Sequence, residues 1–155
     1  MTAALEIIEG NALDLDLVMT VMHKAFDPCY GEAWTAAQCA GVLSLPGSTL
    51  LLARAGTRVL GFALSRSVAD EAELLLIAVR PDGQRHGIGE RLIAKIVDGL
   101  VDKGVKKLHL EVRTDNPALS FYSRLGFAKV GHRRDYYRRL DGQLTDAATL
   151  SRQIP

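Results

Sequence analysis

The stretch ELLLIAVRPDGQRHGIGERLIAKIVDGLV, residues 73 to 101, restricts the folds open to this chain more than any other. It opens on the unbroken apolar run Leu74-Leu75-Leu76-Ile77-Ala78-Val79, short and branched enough for a strand buried on both faces. Pro81 and Gly83 then punctuate a turn. After Gly87 the apolar residues fall at Ile88, Leu92, Ile93, Ile96, Val97, Leu100 and Val101, a stripe of helical period. Between strand and helix lies QRHGIG, residues 84 to 89. A glycine-bearing loop feeding a helix N-terminus is a cradle for an anion. First-turn amides have no partner inside the helix, the helix dipole favours negative charge, and missing Cβ atoms let a phosphate approach the backbone.

Several kinds of loop answer that description, and the spacing separates them. A nucleotide P-loop needs G-x-x-x-x-G-K-[ST], and neither Lys-Ser nor Lys-Thr follows these glycines. A dinucleotide fingerprint needs G-x-G-x-x-G directly after its strand, whereas here Leu92 occupies the third glycine position and residues 80 to 84 intervene. In a dinucleotide-binding Rossmann module, Glu111 would be the acid that binds a ribose hydroxyl; the misplaced glycines argue against that fold. What remains is Q/R-x-x-G-x-G/A after an apolar strand ending in A-V-x-P, which resembles the acetyl-coenzyme A loop of the GNAT superfamily of N-acetyltransferases.

The rest of the chain supplies the elements around this unit. Leu5 to Glu9 reads as a strand, and apolar pairs at Leu17-Val18, Val21-Met22 and Ala25-Phe26 predict a helix from about Asp14 to Phe26. Thr35-Ala-Ala-Gln38 matches a capping box, so a second helix starts there and ends before Pro46, with Trp34 at its entry as a packing anchor or, alternatively, lining a substrate groove. Leu50 to Arg54 and Val59 to Val68 read as strands. Lys103-Gly104 closes the long helix, and Lys106 to Val112 follows as a strand with Leu108, Leu110 and Val112 on one face and Lys107, His109 and Glu111 on the other. Strand, helix and strand form a right-handed unit whose two strands lie parallel. Asn116 caps a further helix, Pro117 takes its first position and Gly126 ends it. Asp141-Gly142 then joins two antiparallel strands, Ala128 to Arg139 and Leu144 to Leu150. The order β-α-α-β-β-β-α-β-α-β-β predicts an α/β fold with a mixed sheet and helices on both faces.

Downstream motifs make the resemblance specific. LEVR at 110–113, NPALSFY at 116–122 and LGF at 125–127 look like the acceptor half of a GNAT enzyme. With IAVRPDGQRHGIG and the tail RRDYY at 133–137, the chain is most similar to the bacterial ribosomal-protein alanine N-acetyltransferases, over roughly the span 71 to 142. The resemblance implies a GNAT-like fold: a mostly antiparallel sheet in which a parallel pair of strands splays apart at the cofactor. It implies acetyl-CoA as cofactor, its pantetheine arm lying along Ile77, Ala78 and Val79. Its pyrophosphate would be held by the loop Gln84, Arg85, His86, Gly87, Ile88, Gly89 and Glu90, with Asn116 reaching the arm. It also implies Glu111 as general base and Tyr122 as general acid. A phenol with a reference pKa near 10 keeps its proton at neutral pH and can give it to a thiolate near 8.5. The Asn116–Tyr122 spacing is one residue shorter than is usual in the family, while Tyr122 to Phe127 keeps the usual spacing. The implied acceptor is a protein N-terminal α-amine, with ribosomal-protein alanine as the instance the resemblance suggests, and otherwise a small amine or a lysine side chain.

Composition bounds the remaining options. A chain of 155 residues is expected to form one domain. A net charge of +1 gives no general reason to bind DNA or a membrane surface. No apolar run approaches the roughly 18 residues of a membrane span, and MTAALEIIEG carries acids rather than a basic signal region. Cys29 and Cys39 lack metal spacing and read as reduced thiols, the four histidines are scattered, and the expectation is a cytoplasmic protein without a metal site. The RRDYYRR stretch, with Arg133, Arg134, Arg138 and Arg139 around Tyr136-Tyr137, reads as a strand with tyrosines inward and arginines solvated, the alternative being a basic-aromatic contact for RNA or the ribosome.

Overall fold

The computed structural model describes residues 3 to 155. Its elements are β1 (Leu5–Gly10), α1 (Leu15–Ala25), α2 (Ala36–Leu43), β2 (Ser48–Ala55), β3 (Arg58–Val68), β4 (Glu71–Val79), α3 (Ile88–Asp102), β5 (Lys107–Arg113), α4 (Ala118–Arg124), β6 (Ala128–Arg138) and β7 (Leu144–Gln153). Local chemistry sets their ends. Thr35 and Gln38 cap α2 reciprocally, the Gln38 amide donating to Thr35 Oγ1 at 3.1 Å and the Thr35 amide to Gln38 Oε1 at 2.8 Å. Both α3 and α4 end in a left-handed glycine, Gly104 and Gly126, with Val105 N–H donating to Leu100 C=O at 3.0 Å and Phe127 N–H to Tyr122 C=O at 3.1 Å.

The strands form one seven-stranded sheet in the order β1-β2-β3-β4-β5-β7-β6. Every neighbouring pair is antiparallel except β4 and β5. Helices α1 and α2 cover one face, where Val18, Val21, Met22 and Cys39 pack with Phe62, Leu64 and Leu76. Helices α3 and α4 cover the other, where Leu92, Ile93, Ile96 and Tyr122 pack with Ala63, Leu108 and Leu110. None of the helices among the described residues is long and apolar enough to cross a membrane.

Two irregularities in the middle of the sheet create the site. First, β4 pairs with β3 through Leu64↔Leu76 and then Ser65↔Leu74, so Leu75 is an extra residue in a bulge. The bulge exchanges the faces: Ala72 and Leu74 point to the α3 side, but beyond it Leu76 and Ala78 point to the α1 side. Second, β4 and β5 are in register for three pairs alone, Glu71↔Lys107, Ala72↔Leu108 and Glu73↔His109. Beyond Glu73 each strand follows its other neighbour, β4 with β3 and β5 with β7 as far as Arg113↔Ala147. A wedge opens between them. This corrects the expectation of a strand buried on both faces: Leu74, Leu76 and Ala78 are buried, but Leu75, Ile77 and Val79 are half-exposed where the wedge takes away their neighbours.

Candidate active site

Below the wedge, α3 begins without a side-chain cap, its N-cap Gly87 at φ 72°. Arg85 also has positive φ, 67°, an uncommon conformation for a residue with a side chain. The alternation aims successive amides one way, as in an anion-binding nest. Among the described residues, the backbone amides of residues 87 to 90, at the start of α3, have no protein acceptor. Gly89 is needed for packing as well, because a Cβ there would lie 3.1 Å from Cζ of Phe121 on α4.

A cavity of about 640 Å³ runs from this loop up the free edge of β4. Ile77, Ala78, Val79, Gln84, Arg85, Gly87, Ile88, Gly89, Glu90 and Asn116 all line it, with Phe121 and Tyr122 of α4 opposite. His86 belongs to the loop, but its side chain is not in that lining; its Nδ1 lies 3.2 Å from Gly83 O.

A second cavity, of about 220 Å³, occupies the other side of the wedge. Its walls are Leu74 to Ile77 of β4, Leu110 to Val112 of β5, Glu32 and Trp34 from the α1–α2 connection, and Tyr136 and Tyr137 of β6. The two cavities share Ile77, Asn116, Ala118 and Tyr122. Tyr122 thus stands at their junction, 8% exposed, and burial followed by the nearby Glu32 charge pushes its phenol well above the ordinary value.

Glu111 lies in the second cavity at the end of β5, with one partner on each carboxylate oxygen: Arg133 Nε donates to Oε1 at 3.0 Å and Thr149 Oγ1 to Oε2 at 2.7 Å. Tyr137 OH donates to Glu111 O at 3.3 Å. The tyrosines reach the cavity because β6 is irregular between Arg133 and Tyr137, with Asp135 at φ 54°. The Asp146 carboxylate secures that bulge, accepting from Asp135 N–H at 2.9 Å and meeting His132 Nε2 at 2.7 Å. RRDYYRR is therefore a strand, but its tyrosines face the cleft and not the core, and Tyr136 is 48% exposed. Trp34 both packs against the α1 core and lines the cavity.

Sequence reasoning missed Glu32 and Arg113. The Arg113 side chain is 6% exposed and pairs with Glu32 and with Asp115, its guanidinium 3.7 Å from the centre of the Tyr30 ring. The Glu32 carboxylate also accepts from Asn116 Nδ2 at 3.3 Å, and Asn116 Oδ1 caps α4 through the Ala118 amide at 2.8 Å. Burial raises the Glu32 carboxyl above its usual range, opposed by the Arg113 charge and the Asn116 amide. Arg113 follows Val112 at the strand end and its burial had a weak signal there; Glu32 sits in an aperiodic loop and had none.

That loop is tied across the cleft. Leu140 N–H donates to Cys29 O at 2.8 Å, and Arg139 lies 5.1 Å from the Tyr30 ring centre. Gly31, at φ 71°, presses so closely on the β6 end that a Cβ would lie 2.2 Å from Arg138 O. Residues 28 to 34 form a strap over the second cavity.

Comparison with known proteins gives a consistent neighbourhood. The family described as "Acetyltransferase (GNAT) family" matches residues 16–127. The [Ribosomal protein bS18]-alanine N-acetyltransferase of Haemophilus influenzae is 38% identical over 94 residues, covering 61% of this chain and 64% of that protein. The chain thus spans just under two thirds of that relative's length. The N-alpha-acetyltransferase RimI of Mycobacterium tuberculosis is 39% identical over 126 residues, 78% of this chain and 76% of the relative. The crystal structure of the ribosomal-protein-S18-alanine N-acetyltransferase from Escherichia coli superposes with a TM-score of 0.88 at 31% identity, covering 97% of this chain and 94% of that one.

Proposed function

This chain belongs to the acetyltransferase (GNAT) family, and from that membership we propose that it transfers the acetyl group of acetyl-CoA to the α-amine of a protein N-terminus, with alanine of a ribosomal protein as the acceptor class. The observation that carries the reading is the junction of two cavities at a buried tyrosine, one with an anion cradle at its far end and one with carboxylates in its walls.

The residues fit the cofactor. The unpartnered amides at the start of α3 suit a pyrophosphate, and the free edge of β4 suits an extended arm that carries amides of its own. When bound, acetyl-CoA supplies the acyl group and a thiolate leaving group. Glu111 takes a proton from the acceptor ammonium, through water, its oxygens each keeping a lone pair beside the bonds from Arg133 and Thr149. The free amides of β4 stabilise negative charge on the acetyl oxygen. Tyr122 gives its proton to the departing sulfur. The strap suits a slender acceptor, a chain end or a side-chain amine, over the flank of a folded domain. The names of the relatives support the chain end.

Acetyl-CoA at a hundred times its Kd is expected to stabilise the fold by about 2.7 kcal/mol, seen as a rise in melting temperature, with no rise for NAD. Gly87→Asp is expected to abolish the rise, because it sets a carboxylate among the amides and strains a left-handed position. A shift with NAD and none with acetyl-CoA would contradict the cofactor assignment. For the acceptor, acetyl-CoA should be incubated with peptides differing in their first residue, together with one whose N-terminus is blocked and which carries an internal lysine. Mass spectrometry is expected to find one acetyl group, on the α-amine, most rapidly with alanine first. Acetylation of the blocked peptide alone would exclude the α-amine.

A further inference from the structure

We propose that Glu32 is the carboxylate that holds the acceptor's ammonium group in the reaction cavity, with Arg113 and Asn116 fixing its position; the inference rests on the N-acetyltransferase reading above. Both Glu111 oxygens accept good hydrogen bonds, from Arg133 at 3.0 Å and from Thr149 at 2.7 Å, so each keeps a lone pair but neither is weakly partnered. Glu32 differs. Its Oε1 meets Arg113, while Oε2 has a single long partner, the Asn116 amide at 3.3 Å, and the side chain lines the cavity. An ammonium brings three donors, and the second oxygen has capacity for one of them.

Arg113 does not cancel this site. It faces two carboxylates, Glu32 and Asp115, so the cluster of one cation and two anions keeps a net negative charge. The Tyr30 ring beneath the guanidinium and the bond to Asn116 hold the group between the strap and the first turn of α4. The field of Glu32 reaches Tyr122 on α4 and Tyr137 on β6, two walls of the same cavity. An amine held at Glu32 therefore shares its cavity with Tyr122, where the cofactor cavity opens.

The test compares ligands that differ only in charge. A peptide beginning with alanine and the same peptide with a hydroxyl in place of its α-amine are titrated into the protein with coenzyme A present. The wild type is expected to prefer the amine by about tenfold, a typical worth for a charge-assisted contact. In Glu32→Gln the preference should fall close to one. The ratio cancels general effects on folding, since both ligands meet the same protein. Glu32→Asp keeps Arg113 paired should the glutamine variant fail to fold, and withdrawing the carboxylate by one methylene should also lower the ratio. Benzylamine and benzyl alcohol form a second pair: a Glu32-dependent ratio with these, and no binding of the peptide, would sustain the inference while removing the N-terminal acceptor. A preference unchanged in both Glu32 variants, or absent from the wild type with both pairs, overturns it.

Discussion

Tyr122→Phe is expected to lower single-turnover acetyl transfer by roughly 10²-fold or more, toward the lower end of what a general acid contributes. Acetyl-CoA affinity should barely change, because the ring and its packing are kept. The doubt this resolves concerns register. A residue missing inside a helix turns everything beyond it by about 100°, which would bring Phe121 or Ser123 to the acid's place. The shorter Asn116–Tyr122 spacing is instead absorbed at the helix start, where Asn116 caps through Ala118 and Pro117 precedes the first turn. The far end is locked by Gly126, and Tyr122 meets the Phe127 ring edge-on at 5.7 Å. Phe121→Leu should behave in the opposite way, losing thermal stability through its contact with the first turn of α3 and keeping turnover in the folded protein. Burial and the Glu32 charge raise the Tyr122 phenol, so its acid form persists above the ordinary value near 10. Wild-type turnover should accordingly show no loss from phenol ionisation up to at least about pH 9.5. Near-normal transfer by Tyr122→Phe would remove this residue from the chemistry.

Glu111→Gln should cost a comparable factor, concentrated at neutral and acidic pH. An α-amine with a reference pKa near 8 is mostly protonated there and needs a base, whereas above that value it is already neutral. Glutamine keeps the shape and can still accept from Thr149 or Arg133, but it cannot take the proton. The variant's deficit should therefore shrink as pH rises through 8, with the Kd for acetyl-CoA unchanged. An identical pH–rate profile in variant and wild type would reduce Glu111 to a polar strand residue that anchors Arg133 and Thr149.

The order of elements was legible because its signals are local. The apolar run before the loop, the helical stripe from Ile88, the Thr35–Gln38 box and the two glycine stops each act within a few residues. The resemblance singled out the cradle, Glu111 and Tyr122, and the structure places these residues on the walls of two adjoining cavities. What was not legible depends on partners far along the chain. Nothing in Leu74-Leu75-Leu76 marks which leucine bulges, since that depends on pairing with Leu64 and Ser65. Glu32 and Arg113 are 81 residues apart and meet through the strap. The tyrosines of RRDYYRR were expected to face inward, but consecutive residues of a regular strand point to opposite faces, and it is the Asp135 bulge, secured by Asp146, that brings both to the cleft.

The early end of the β4–β5 ladder also matters for how the chain avoids other copies of itself. An unpaired strand edge is a template on which a foreign strand can build, and proteins usually guard it with charge, brevity or a bulge. Here the open edge lies in the interior of the sheet, with the α4 turn on one side and the strap on the other. A second sheet cannot approach it, whereas a single extended chain can. The protein can thus keep backbone donors and acceptors available for a ligand without offering them for aggregation, and its outer edges at β1 and β6 are left to carry that risk. On β6, the bulge and the charges of Lys129, Arg133, Arg134 and Arg138 discourage it.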